Sequence, residues 1–231
     1  MTDSETYQLI DLQQDFVVVD KPAGVNFHDE GEIGSGLFNR LTGQLGLSEL
    51  YPVHRLDKMT SGLILFARNK STAQEFQRLF NEHKVEKYYL AISDKKPKKK
   101  QGLIKGDMTK SRRGMWKLLR SSENPAISQF FSYGLGSGKR LFIVKPHSGK
   151  THQIRVALNS IGSPIIGDNT YYAQSQADRG YLHAYALRFR LNQQAFQYTL
   201  PPNSGELFLD ANVQQQITAL STPWDLPWPK L

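Results

Sequence analysis

A chain of 231 residues is long enough for one large domain or two small ones and can bury a sizeable core. Hydrophobic residues at 39% and aromatics at 11% exclude a disordered chain, and the formal charge of +8, from 29 Lys+Arg against 21 Asp+Glu, suits a polyanionic partner as well as it suits solubility. With no cysteine there is no disulfide framework, thiolate metal site or cysteine nucleophile; no apolar run approaches a membrane span and "MTDSETYQ" is not a signal peptide, so a soluble, intracellular, cytoplasmic protein is expected.

Residues 1–10 read as a loose tail, and 11–231 as one domain without a repeat or a low-complexity linker. "DFVVVDKPAGV" (15–25) reads as a buried strand ending in a Pro-Ala-Gly turn, and "GEIGSGLFNRLTGQLG" (31–46) as a glycine-rich loop leading into a short helix. Strand "GLILFAR" (62–68) precedes a helix in "KSTAQEFQRLFNEHK", where Ser71 with Gln74 spells a capping box and Phe76, Leu79 and Phe80 form one stripe. "VEKYYLAI" (85–92) is the next strand, with the basic run "KKPKKK" (95–100) as its exit loop. That run continues into Lys105, Lys110, Arg112, Arg113, Lys117 and Arg120 around Trp116, a mixture suited to phosphate contact plus base stacking and equally to a solvated loop. Residues 126–147 read as a hairpin around Gly-Ser-Gly, and "THQIRVALNSIG" (151–162) as a helix with Ile154, Leu158 and Ile161 on one face and Gly162 as its stop. Apolar segments at 181–191 and 196–200 and a short helix near 210–220 complete the chain. Strands and helices mix without regular βαβ alternation, which favours an α+β fold with a mixed, largely antiparallel sheet.

Two phosphate-loop patterns fail on spacing. "SGKT" (148–151) has Val144 where a P-loop needs its leading glycine, and "GEIGSG" lacks the order of a dinucleotide site. His54, His147, His152, Asp57 and Asp168 show no metal-ligand spacing, so no metal site is expected. What remains is the stretch "HRLDKMTSG" (54–62), which packs a histidine, an arginine and a carboxylate against an apolar strand. Asp57 there needs a cation to hold its charge and fix its direction by a bidentate contact, and Arg155, on the first turns of the "THQIR" helix, is the candidate. On the residues alone Asp57 is either the reactive group of an enzyme or half of a structural ion pair, and structural pairs are commoner.

The motifs just reached resemble those of the RluA-type family of RNA pseudouridine synthases. "HRLDKMTSGLILFAR" is similar to the family's His-Arg-Leu-Asp-x-x-Thr-Ser-Gly motif and its following strand. "DFVVVDKPAGVNFH" resembles the opening strand and its Lys-Pro-Ala-Gly turn, and "VEKYYLA" the Lys-x-Tyr-x-Ala segment. "SGKTHQIRVALNSIGSPIIGDNTYY" resembles the block ending in Gly-Asp-x-x-Tyr, and "YLHAYAL" the Leu-His-Ala segment. These stand in the family's order over about 16–190, most of the chain.

The resemblance implies an α+β pseudouridine synthase fold, its central sheet flanked by helices beside a catalytic cleft, and a reaction that isomerises uridine in ribosomal or transfer RNA without metal or organic cofactor. It implies that Asp57 is the catalytic aspartate, that Arg155 pairs with it, and that Tyr89 packs against the target base and assists proton transfer. It implies substrate-binding roles for Arg55, which contacts RNA or displaces the base, and for Ile154, which lines the base pocket. His54 and Thr60 in the same motif, and Lys150, join them as substrate-binding candidates. Lys150 stands where the family has arginine, which keeps the charge and loses the bidentate geometry. No room is expected for an S4-type domain ahead of the first strand, so RNA selection falls to a monomeric catalytic domain, the segment 95–120 included. A catalytically silent RNA-binding protein and a metal-dependent hydrolase of nucleic acid are the competing expectations.

Overall fold

The structure is a computed structural model that describes residues 7–31, 35–47 and 49–231. Its central strands show no polar alternation: Phe16–Lys21 and Ser61–Ala67 are buried at every position, as in a sheet covered on both faces. In chain order the elements are β1 (Gln8–Leu12), β2 (Phe16–Lys21), α1 (Leu37–Leu45), β3 (Tyr51–Pro52), β4 (Ser61–Ala67), α2 (Lys70–Asn81), β5 (Glu86–Ser93) and β6 (Gln101–Gly106). There follow β7 (Met108–Lys110), β8 (Trp116–Leu118), β9 (Ala126–Gly136), β10 (Lys139–Pro146), α3 (Gln153–Ser160), β11 (Leu182–Leu191), β12 (Gln194–Thr199) and α4 (Ala211–Thr218).

One 10-stranded sheet runs in the order β1-β2-β4-β11-β5-β10-β9-β6, with β12 added to β11 and β3 to β4, while β7 and β8 form a separate ribbon. Every pairing in the large sheet is antiparallel except β4 with β11. That parallel contact is short, His183 against Ser61 and Ala184 against Gly62, because β12 takes over the same edge of β11 from Ala186 onward. The sheet therefore has two halves joined at a narrow seam, each with its own core. One packs Phe142, Ile143 and Leu158 beneath α3 and α4, and the other packs Phe16, Leu65 and Phe76 beneath α2. Gly62 makes the seam: its φ is +105°, and a Cβ there would lie 2.3 Å from the Ala184 carbonyl oxygen. The residues entering β4 are thus carried to the line where the halves meet, and Asp57 lies four positions before Ser61.

Several local expectations change. Residues 8–10 of the expected tail belong to β1, an edge strand held to β2, with the Tyr198 hydroxyl donating to Asp11 at 2.6 Å; residues 1–6 lie outside the described residues. Residues 32–34 of the glycine-rich loop also lie outside them, and the short helix is α1. The cap of α2 is Asn69, whose side-chain oxygen accepts from the Thr72 amide at 2.8 Å; Ser71 is inside the helix and donates to Asn69 at 2.7 Å. The expected hairpin is β9–β10, turning on Ser137 and Gly138, both at positive φ, as a tight two-residue turn requires. Beyond the basic loop, the chain forms β6 and the β7–β8 ribbon, where the Lys110 ammonium lies 5.9 Å from the Trp116 ring centroid.

Helix α3 begins later than its apolar periodicity suggests. His152 adopts a left-handed conformation at φ 58°, and Gln153 opens the helix instead. The Gln153 amide stitches the preceding loop to β9: its oxygen accepts from the Ser148 hydroxyl and the Lys150 amide, and its nitrogen donates to Ile127 and Ser128. At the other end the Gly162 amide bonds Asn159 and the Ser163 amide bonds Leu158, closing the helix at Gly162 as expected.

Candidate active site

A cleft of about 990 Å³ opens along the seam, walled by the loop before β4, by β5, and by the segment leading into α3. Asp57, Tyr89, Arg155, His54, Arg55, Thr60, Ile154 and Lys150 all line it, although they come from separate parts of the chain. Arg155 is in the middle. All of residues 153–158 are buried, so the Arg155 guanidinium cannot reach solvent and must be satisfied inside.

Two carboxylates do this. Asp168 takes the bidentate contact, with Nε and Nη2 of Arg155 each donating at 2.8 Å, while Nη1 donates to Asp57 Oδ2 at 3.0 Å. The expected pairing of Arg155 with Asp57 is present but single; the fork belongs to Asp168. The two carboxylates differ in exposure, 28% for the Asp57 side chain and 1% for Asp168. Burial works against the charge on Arg155, yet the hydrogen bonds and charges of Asp168 and then Asp57 outweigh it and raise its pKa. Asp168 also accepts from the Thr170 and Tyr171 amides at 3.0 and 3.2 Å, so the loop after α3 is built around it. In the sequence Asp168 stood in the Gly-Asp-x-x-Tyr segment and among the rejected metal ligands; no local pattern assigns it to Arg155.

Two further neighbours, Tyr171 of the Gly-Asp-x-x-Tyr block and His152, were given no place in the site by the sequence. The Tyr171 ring packs on the Arg155 guanidinium at 5.1 Å, and its hydroxyl bonds His152 Nδ1 at 3.0 Å and accepts from the Trp116 amide at 2.9 Å. His152 Nε2 comes to 4.0 Å from Asp57 Oδ2. Burial, then the charge of Arg155, lowers the His152 pKa, with Asp57 and Asp168 acting in the opposite sense. The left-handed conformation at His152 thus places its ring between Tyr171 and Asp57. Beneath the Asp57 turn lies Lys21, whose buried ammonium donates to the carbonyls of Pro22, Val25 and Lys58 at 2.9, 2.8 and 3.3 Å. Burial first, then Arg179, lowers its pKa to about 7, against the opposing pull of Asp57 and Asp20. The Thr60 amide closes the same turn on the Asp57 carbonyl at 3.0 Å.

Tyr89 faces the cleft, whereas Tyr88 points to the other face of β5 and packs against Trp224 and Trp228. Burial, and then the charge of Asp57, raises the Tyr89 pKa, so the hydroxyl keeps its proton at neutral pH. Ile154 is buried in the larger core and shows an edge to the cleft. Arg55 is exposed at the rim and donates to Thr151 at 3.3 Å. Lys150 donates to Asn124 at 2.9 Å, between the main cleft and a second hollow of about 440 Å³ beside Trp116. Thr60 is buried and holds the turn more than it faces the opening.

His54 lines the cleft and also serves the sheet. Its Nε2 accepts from the Leu65 amide at 2.9 Å. That amide belongs to the edge of β4 beyond the reach of β11, which stops at Gly62, and before the pairing of β3, which begins at Phe66. Burial, then the charge of Lys87, pushes the ring down to about 3, so it is neutral. His54 completes a strand edge and forms wall; its accepting nitrogen is unavailable to a substrate. Among the described residues no group of three or more His, Cys, Asp or Glu is placed to hold a metal ion.

This arrangement presents one carboxylate to a cleft large enough for a nucleotide, with a buried arginine fixing it and a tyrosine beside it. A family model described as RNA pseudouridylate synthase matches residues 15–160, the span that carries Asp57, Tyr89 and Arg155. A Haemophilus influenzae protein, "Uncharacterized RNA pseudouridine synthase", is 45% identical over 216 residues, 93% of this chain and 96% of that one. The "Ribosomal large subunit pseudouridine synthase C" of Rickettsia bellii is 34% identical over 172 residues, 72% of this chain and 57% of its own length. The solved structure of "Human RNA Pseudouridylate Synthase Domain Containing 1" has the same fold, with a TM-score of 0.74 over 100% of both chains at 24% identity. On the extent of the family match and of the Haemophilus likeness, this chain belongs to the RNA pseudouridylate synthase family and is an RNA pseudouridine synthase, an isomerase.

Proposed function

We propose that the Asp57 carboxylate carries out the conversion of specific uridines in ribosomal or transfer RNA to pseudouridine, with no metal or organic cofactor. One observation carries this reading. Arg155 holds Asp57 Oδ2, while among the described residues no hydrogen bond holds Oδ1, and Asp57 lines the cleft, so one oxygen is anchored and the other is left to react. Asp168, the other carboxylate on Arg155, is enclosed and bonded on both oxygens.

The reaction breaks the N1–C1′ bond, turns the uracil and joins C5 to C1′. C5 loses a proton to solvent and N1 ends with one, so atoms and charge balance without a redox step. The free Asp57 oxygen serves as nucleophile at C1′, as nucleophile at C6, or as base toward C2′; each needs a carboxylate held at fixed direction. Tyr89, with its proton retained, offers a neutral ring face for the base and a hydroxyl that can pass a proton. The target nucleotide must leave its stack to reach this depth, at a cost of a few kcal/mol. Contacts from Arg55 and Lys150 at the rim offset part of it. The Rickettsia relative's name supports a ribosomal substrate, and the basic segment 95–120 supports contact with a structured RNA.

The test uses total RNA tritiated at uracil C5 from a strain lacking this protein. Purified protein, with chelator present, is expected to release tritium, and Asp57→Asn to release none while still binding RNA. No release by the wild-type protein sinks the synthase reading for this chain. Loss of release on adding chelator sinks the cofactor-free chemistry. Mapping pseudouridines in the same strain then identifies the substrate position.

A further inference from the structure

The cleft, at about 990 Å³, lies at the upper end of the range for sites that enclose a whole drug-sized ligand, roughly 300–1,000 Å³. It continues beyond Asp57 and Tyr89 along β5 to Lys87, Phe80 and His147. Five lysines and arginines line it: Arg55, Lys87, Lys145, Lys150 and Arg155. Four have partners. Arg55 donates to Thr151, Lys145 to Glu86 at 2.7 Å, Lys150 to Asn124, and Arg155 to its two carboxylates. Among the described residues no hydrogen bond or ion pair holds the Lys87 ammonium. Beside it lies the Phe80 ring, 5.4 Å from Nζ to the centroid, which attracts the charge but accepts none of its N–H bonds in the manner of an oxygen. The Lys87 charge also acts on the His54 and His147 rings, which it disfavours in their protonated forms.

The nearest carboxylate in sequence, Glu86, is already taken by Lys145 and Arg188. Burial lowers the Lys87 pKa to about 8, so the group is still largely charged at neutral pH although no carboxylate among the described residues is paired with it. Such a cation is arranged for an anion that arrives with the ligand. Its position identifies the anion. Lys87 and Tyr89 are two residues apart on β5 and line the same cleft, a separation along the strand of about 6.6–6.8 Å. A phosphodiester adjoining a uridine seated at Tyr89 falls within reach of the lysine's flexible four-carbon stem.

We propose that Lys87 clamps the phosphodiester next to the reacting uridine, making this end of the cleft a subsite for the backbone of single-stranded RNA. The identity of the strand rests on the synthase reading; the phosphate contact can be measured without it. The probe is a short fluorescein-labelled oligouridylate, with affinity followed by anisotropy over a series of KCl concentrations. Each phosphate contact adds about 0.7 to the slope of log affinity against log salt for a single strand. Lys87→Met, which keeps the stem, is expected to lower that slope by about 0.7. Lys87→Arg is expected to restore it, and Lys230→Met, at an exposed lysine outside the cleft, to leave it unchanged.

Melting of the same variants separates a clamp from a structural lysine. With no partner to lose, Lys87→Met is expected to melt at or above the wild-type temperature. In the tritium assay it is expected to raise KM with kcat unchanged, the signature of lost ground-state binding. A wild-type salt slope in Lys87→Met overturns the proposal, and so does a marked fall in its melting temperature, since either assigns the ammonium to something other than RNA. If the slope changes but the wild-type protein releases no tritium, the synthase reading fails and the phosphate clamp stands. Release with an unchanged slope has the opposite consequence.

Discussion

Asp57 and Asp168 both bond Arg155, and their contrasting environments give them opposite sensitivities to the same chemical change. In Asp168→Asn an amide NH₂ must replace one oxygen of a buried carboxylate whose two oxygens receive Nε and Nη2 of Arg155 at 2.8 Å, and two backbone amides besides. Either orientation of the new side chain points its NH₂ at one guanidinium donor, and the buried guanidinium keeps one bond to the amide oxygen, the bond to Asp57 and no enclosed charge to balance it. Breaking a buried, hydrogen-bonded ion pair in this way costs about 3–5 kcal/mol. At roughly 2–4 °C per kcal/mol for a chain of this size, the melting temperature falls by about 6–20 °C. Asp57→Asn removes a partner that is 28% exposed and leaves the Asp168 fork intact. Its cost stays within about 1 kcal/mol, as for other solvent-accessible pairs. Calorimetry on the three proteins gives the order of stability, and tritium release below the lowest melting temperature gives the order of activity. Asp57→Asn is expected to be near wild type in stability and without activity; Asp168→Asn is expected to be much less stable and to retain measurable release. Equal destabilisation by the two variants, or release by Asp57→Asn, refutes the division of roles.

Gly62→Ala forces a Cβ to 2.3 Å from the Ala184 carbonyl at φ +105°, so it is expected to yield little soluble protein. Gly43→Ala, on an open face of α1 with nothing within 4 Å, is expected to gain roughly 0.8–1 kcal/mol in a urea titration; similar behaviour of the two variants defeats the seam argument. His183 is buried between the Ser61 hydroxyl and the Leu200 carbonyl, and burial holds its pKa at about 4 against an ordinary 6.5. The unfolded chain takes up this proton first as pH falls, so the stability is complete above 6.5 and is lost between 6.5 and 4. The loss is about 1.4 kcal/mol per pH unit for this group, and His183→Gln is expected to be less stable at neutral pH but to have an acid limb shallower by that amount. A limb parallel to wild type excludes His183 as its source. Asn69→Ala is expected to cost about 1 kcal/mol by unfolding titration and Ser71→Ala less, because only Asn69 accepts from the Thr72 amide.

Local pattern made much of the architecture legible. Continuous apolar runs mark β2 and β4, because strands covered on both faces need no polar alternation. The Phe76–Leu79 spacing marks α2, and the Gly-Ser-Gly turn marks β9–β10. Short edges were not legible: β1, β3, β6 and the β7–β8 ribbon carry little apolar signal, since their partners rather than their own side chains hold them in place. Ser71 was misread as a cap because the cap falls two positions earlier, where Asn69 accepts from the Thr72 amide, and Ser71 is already inside the first turn. The bond from the Leu65 amide to His54 was not legible because a motif records residue type and order but not which strand edge lacks a partner.

The site divides along the same line. Sequence by itself determined the kind of chemistry, through ordered motifs containing Asp57, Tyr89 and Arg155, and it asked for a cation beside Asp57, with Arg155 as the candidate. Only tertiary structure decided which anion holds the fork and which keeps a free oxygen. Arg155 meets Asp168 across 13 positions and Asp57 across 98. The longer separation closes because the sheet halves join at Gly62 and Ala184, and the difference in burial between the two carboxylates separates an anchoring one from one exposed to the cleft.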